Sequence, residues 1–181
     1  ATIYNIMCLL FALFLAGSFV LWETKTPFPL LDMSLFRVPL FSLGVGARTI
    51  SFITAATVFF LLPFYLQNVV GYTPTKTGLI MITLALGMVL MGPIAGRLSD
   101  QFGSRPFNVG GAILSAVGLF VLSRITEDTT LALVLFGIAL QSIGSGMFTA
   151  PNTNSILSSV PRASYGIAAG FVQLLRTSST V

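Results

Sequence analysis

Histidine is absent from the 181 residues, and cysteine occurs once, at Cys8 inside an apolar run. Without histidine, zinc, haem and non-haem iron sites lose their commonest ligand, and Ser-His or Cys-His catalysis is excluded within this chain. A lone cysteine allows no intrachain disulfide, so Cys8 reads as a small buried hydrophobe. Charge is equally scarce: 8% of residues are charged against 55% hydrophobic, and mean hydropathy is +0.94. Soluble domains are about a quarter charged, so this chain cannot cover a water-facing surface; the lipid bilayer is its expected partner and solvent. The nine basic residues outnumber the five acidic ones, yet they stand singly and form no stripe that could track phosphates, so nucleic acid is not an expected partner. No metal or cofactor is expected, and with no cysteine pair and no paired intramembrane acids, enzyme chemistry is not expected either.

What the chain has is long apolar runs. Ile3 to Trp22 is uncharged and long enough to cross about 30 Å of hydrocarbon as a helix. Glu23 to Arg37 is a polar linker broken by Pro27 and Pro29. Further spans are predicted within Pro39 to Gln67, from about Thr77 to Gly96, from about Phe107 to Ser123, and from about Leu131 to Ala150, the last with a pattern that can run on past Pro151. "RITEDTT" is a tight polar loop, and a sixth span begins near Tyr165. Runs this long without alternation do not read as barrel strands, so the fold class is an all-α membrane protein. The chain opens on Ala1, with no basic region ahead of its first apolar run, so a cleaved signal peptide fits poorly. It stops at Val181 soon after the last span begins, and a piece of a longer protein is expected.

Basic residues near span ends set the orientation. Lys25, Arg37, Arg97, Arg105 and Arg162 fall on one side, Lys76 and Arg124 on the other. The positive-inside rule puts the first set in the cytoplasm.

One cytoplasmic connection concentrates unusual residues: "GPIAGRLSDQFGSRP", residues 92–106, holds three glycines, two prolines, two arginines and an aspartate. Gly92 and Gly96 form a small-xxx-small pair that would let another helix approach closely. Pro93 would bend the third span. Gly103 would supply the left-handed conformation of a short turn. Pro106 would open the next helix, and Asp100 and Arg105 bracket the turn, with the acid near helix-start amides and a base. Gly96, Leu98, Asp100, Gly103 and Arg105 match the loop signature of the major facilitator superfamily, G-x-L-x-D-x-x-G-x-[RK], and the loop resembles it. The resemblance implies a loop between the second and third helices of a six-helix half, whose aspartate and basic residues latch one face of an alternating-access cycle. Gln101 and Ser104 stand where the family often has basic residues, which points to the more degenerate C-terminal copy.

Other segments agree. "LPFYLQNVVGYTPTKTGL" (62–79), "ETKTPFPLLDMSLFR" (23–37) and "GIAAGFVQLLR" (166–176) resemble, in order, parts of the fourteen-helix drug:proton antiporters. The implied architecture is a partial major facilitator bundle, truncated at both ends. Residues 1–22 are then a helix preceding the C-terminal half, 23–37 a cytoplasmic linker, and 38–181 the first five helices of the C-terminal bundle. The implied function is a secondary active transporter in the bacterial cytoplasmic (inner) membrane. It would export lipophilic or cationic drug-like compounds in exchange for protons, with a missing N-terminal half in the same polypeptide. The alternative is a transporter-like structural or accessory subunit of a larger membrane assembly.

Several side chains are candidates for substrate contact or gating. Arg48 and Arg176 lie in apolar spans, where an ionised group is costly. Arg48 is within snorkelling reach of the interface, while Arg176 is deep enough for an interior role, such as pairing with a carboxylate. Phe59, Phe60, Phe64, Tyr65 and Gln67, near the kink expected at Pro63, could line a central cavity; lipid contact and an interfacial anchor at Tyr65 are the competing readings. In "GSGMFTAPNTNS", Asn152 and Asn154 sit near a proline-broken helix end, where they meet freed carbonyls or simply end a helix. Gly144 and Gly146 read as packing contacts. The acids Glu23, Asp32, Asp100, Glu127 and Asp128 all fall at span ends or loops, so a proton-carrying carboxylate would have to come from the missing half.

Overall fold

A computed structural model describes residues 33–179 and, before them, only some helical positions within 6–22. The predicted first span is thus described only in part, at helical positions within 6–22, and the linker up to Asp32 lies outside the described residues. After a 3-10 turn at Met33–Arg37 come α1 (Pro39–Phe64), continued by a π turn at Tyr65–Val69, then α2 (Pro74–Phe102), α3 (Ser104–Leu122), α4 (Leu131–Ser158), a 3-10 turn at Arg162–Ser164, and α5 (Tyr165–Ser178). No strand occurs among the described residues. Among the described residues, four helical segments, 39–69, 74–102, 104–122 and 131–158, are long and apolar enough to cross a membrane. Large apolar side chains such as Leu43, Phe60, Val89 and Phe102 are exposed on their outer faces, where hydrocarbon replaces water as solvent.

Local chemistry explains the helix boundaries. Pro39 and Pro74 open their helices, at positions where a missing N–H costs nothing. Thr73 Oγ1 caps α2 by accepting from the Lys76 amide at 3.4 Å. The spans run further than the sequence reading set them, because a helix extends beyond its hydrocarbon-buried part. The 29 residues of α2 reach about 43 Å, well past a core of about 30 Å, and so carry Arg97 and Asp100 in their last turns. α3 begins at Ser104, so Pro106 is its third residue and not its first. The position still suits proline, because first-turn amides have no intrahelical acceptor. α4 continues through Pro151 to Ser158.

α4 is the hub. It packs against each of the other four helices, and half of its most apolar stretch is buried while the other spans bury less than a fifth. Glycines permit the closest approaches. A Cβ on Gly111 would lie 2.7 Å from the Phe148 amide nitrogen, and Cβ atoms on Gly118 and Gly144 would run into the backbones of Gln141 and Ser115. Gly146 sits against Met88 of α2, with a Cβ there 3.1 Å from the Met88 carbonyl, so the expected packing role of Gly144 and Gly146 holds. Among the described residues, no helix comes unusually close at the Gly92–Gly96 pair. A Cβ on Gly92 meets nothing within 4 Å, and one on Gly96 meets only Ala150 at an ordinary 3.7 Å. The tight α2–α4 contact instead lies earlier in α2, at Gly87 against Ser142. Two apolar clusters close the ends of the bundle. Leu35, Phe41, Val45, Ile156, Val160, Ala168 and Val172 form one, and Val58, Leu62, Leu66, Ile80, Val134 and Ile138 the other.

Candidate functional site

Between the two clusters, α4 turns a run of polar side chains inward: Gln141, Ser142, Ser145, Asn152 and Ser155 are all buried. Polar groups removed from water need partners, and most find them within α4. Gln141 Nε2 donates to Ser145 Oγ at 3.3 Å, and the hydroxyls of Thr149, Thr153 and Ser155 donate to carbonyls one turn back at 2.7–2.9 Å. Two contacts reach across to α1. Asn152 Nδ2 donates to the Gly44 carbonyl at 3.3 Å, and Arg48 Nη1 to the Thr149 carbonyl at 3.4 Å. A third polar tie joins α3, where Asn108 Nδ2 donates to Ser155 Oγ at 3.2 Å. These ties flank Pro151, which lacks an amide for the Met147 carbonyl. Among the described residues, four buried polar atoms lack any partner: Arg48 Nε, Thr77 Oγ1, Asn108 Oδ1 and Asn152 Oδ1.

Beside this belt lies a cavity of about 290 Å³ between α1 and α3, floored by Ser145 and Phe148 of α4. Small side chains shape its walls: Ala47, Ser51, Ala112 and Ser115 among them.

The structure does not bring the sequence-predicted residues together. Asn152 is buried in the belt, but Asn154 faces outward. Arg48 is 7% exposed, so it packs inside the bundle instead of reaching for the interface. Arg176 is exposed on α5, and no carboxylate pairs with it among the described residues. Phe60 is exposed and stacks on Phe64 at 5.7 Å. Tyr65 donates from its hydroxyl to the Thr126 carbonyl at 2.7 Å, which ties the end of α1 to the α3–α4 loop, and Gln67 is exposed beside it. Along α1, Gln67 stands about 28 Å from Arg48, so the aromatic group and the polar belt are separate places. Among the described residues, the cavity's one aromatic wall is Phe148.

The α2–α3 connection is a single residue. Gly103 caps both helices with φ 84° and ψ 153°, a region that is almost exclusively glycine's. It is not the left-handed helical conformation expected of it, but it needs glycine for the same reason: a Cβ would clash at positive φ. Asp100 and Arg105 are both exposed flanking it, and no ion pair joins them at 4.0 Å or less. Gly96, two turns earlier in α2, faces Ala150 of α4.

The family model described as Major Facilitator Superfamily matches residues 44–179. The chain belongs to the major facilitator superfamily. The matched stretch contains the whole loop from Gly96 to Arg105, the polar belt and α5. Among curated proteins, the chain is 32% identical to the uncharacterized transporter YebQ of Escherichia coli, over 87% of this chain and 35% of that protein. It is 31% identical to the riboflavin transporter RibZ of Clostridioides difficile, over 87% and 34% respectively. It is 32% identical to the lincomycin resistance protein LmrB of Listeria monocytogenes, over 82% and 32%. The chain thus spans about a third of the length of the curated relatives it matches. Its helices and its bacterial relatives together make this facilitator chain an integral, multi-pass protein of the inner membrane.

Proposed function

We propose that this chain is the larger part of the C-terminal half of a secondary active transporter that exports lipophilic or cationic drug-like compounds in exchange for protons. Residues 38–181 would supply the first five helices of that half, 23–37 the cytoplasmic linker, and 1–22 the helix before it. A matching N-terminal half in the same polypeptide would complete the clamshell, since alternating access needs two bundles that rock about a midplane site. The observation that carries the reading is membership of the superfamily, joined by relatives named for drug resistance. In this reading Gly96, Asp100, Gly103 and Arg105 form the conformational-switch loop. Phe60, Tyr65, Gln67, Asn152, Asn154 and Arg176 are the candidates for substrate contact or gating, and the proton-carrying carboxylate comes from the N-terminal half.

A second reading concerns the cargo. The riboflavin transporter matches at 31% identity, level with the lincomycin resistance protein at 32%, which favours a planar nutrient as strongly as a drug. The test is dye efflux from cells that lack their major exporters and produce the protein at its natural length. Ethidium should leave faster than from empty-vector cells, and a protonophore should abolish the difference. Equal retention, with protonophore-sensitive riboflavin movement in the same cells, would replace drug export by the second reading.

A further inference from the structure

Arg48 is the one charged side chain on α1, α4 carries none, and α5 carries only Arg176. Phe41, Val45 and Phe52 share a face of α1 with Arg48 by helical spacing, and all three belong to the apolar cluster that holds Val172 and Leu175 of α5. Arg176 follows directly on Leu175, which places it beside the same cluster.

The Arg48 guanidinium is poorly satisfied. One face lies over the Phe52 ring at 4.4 Å, Nη1 makes one long hydrogen bond of 3.4 Å to the Thr149 carbonyl, and Nε is buried without a partner. A buried cation needs a counter-charge, and a second cation alongside raises that need. Asp100, Glu127 and Asp128, the acids among the described residues, sit in or beside the α2–α3 and α3–α4 connections, and none pairs with an arginine. Nε, left without a partner, lies with Nη2 on the side of a guanidinium that takes a carboxylate in two parallel hydrogen bonds.

We propose that Arg48 and Arg176 form a carboxylate-binding site on the seam between α1 and α5. The carboxylate belongs either to a small transported anion or to an acidic side chain of the polypeptide outside the described residues. The site stands whether or not the protein exports drugs, because it is read from burial and missing partners.

The test is thermal unfolding of the detergent-purified protein at its natural length, with sodium benzoate as probe and benzamide as its uncharged control. A transported anion predicts that benzoate, but not benzamide, raises Tm by a few degrees. Arg176→Gln should then weaken benzoate about tenfold, and Arg48→Lys should retain more of the effect than Arg48→Gln. An internal carboxylate predicts no benzoate shift. Pairing holds such a carboxylate's pKa below its ordinary value, so its stabilisation is present at neutral pH and lost as pH falls through the folded-state value. Wild type should then lose Tm in that acid step, and Arg176→Gln and Arg48→Lys should show the step reduced. Should Arg48→Gln fail to fold, Arg176→Gln and Arg48→Lys still decide the matter. A benzoate shift that survives in both of those variants, a matching shift with benzamide, or the absence of both the shift and an arginine-dependent acid step overturns the proposal.

Discussion

Gly103 carries the whole α2–α3 turn, so its backbone dihedrals matter more than its neighbours' charges. Replacing it by alanine puts a Cβ into a conformation with φ 84°, at a cost of about 1–3 kcal/mol. Gly103→Ala should therefore lower the thermal midpoint of the purified protein, whereas Ser104→Ala, at the negative-φ start of α3, should leave it nearly unchanged. Tyr65→Phe should cost about 1 kcal/mol or less, because the lost 2.7 Å bond to Thr126 is exposed and water replaces it. An unaltered substrate affinity in that variant would assign Tyr65 to fastening α1 to the loop; a weakened affinity would return it to the cavity wall. The need for a glycine at 103 was legible in the sequence, since a turn this short between two long helices leaves few alternatives. The burial of Arg48 was not. α1 is apolar on all sides, so no amphipathic phase told which face meets protein and which meets lipid.

At the scale of helices, the same ambiguity misplaced the close contacts. Small-xxx-small spacing marks where a helix can be approached, and α2 offers it at Gly92 and Gly96, yet α4 comes closest at Gly87. Which glycine is used depends on the crossing point of two helices, and that is set by the partner, not by the strand of sequence carrying the motif. Gly118 and Gly92 give a paired test. Gly118→Ala forces α3 away from the Gln141 backbone and should cost about 1–3 kcal/mol. Gly92→Ala meets open space within 4 Å and should fall within about 0.5 kcal/mol of wild type or slightly above it, since alanine is the better helix former. Comparable losses in both would mean that α2 is packed on its Gly92 face by a segment outside the described residues. The inward polar run of α4 was only partly legible. Asn152 stood out beside Pro151, but Gln141 and Ser145 lie in an otherwise apolar span whose buried side became visible only once α4 was seen at the centre of the bundle.

For the whole molecule, the direction of every helix follows from one observation, the imbalance of basic residues between its two ends. Consecutive spans must alternate, and the parallel run of α2 and α4 against the antiparallel α1 and α3 agrees with that alternation: Gly87 meets Ser142 and Gly96 meets Ala150, while Gly44 meets Ile156 and Arg48 meets Thr149. The internal arrangement is fixed by these contacts, but which end faces the cytoplasm rests on charge alone. Cysteine labelling in intact cells separates the two. With Cys8 replaced by serine, Asp128→Cys places a thiol in the exposed α3–α4 loop and Gln101→Cys places one beside the exposed α2–α3 turn. A membrane-impermeant maleimide should modify the cysteine at 128 from outside and reach the one at 101 only after permeabilisation. The reverse pattern would invert the bundle and put the Gly96–Arg105 loop outside the cell. It could not then latch a cytoplasmic gate, and the switch-loop role proposed for Asp100 and Arg105 would fall with it.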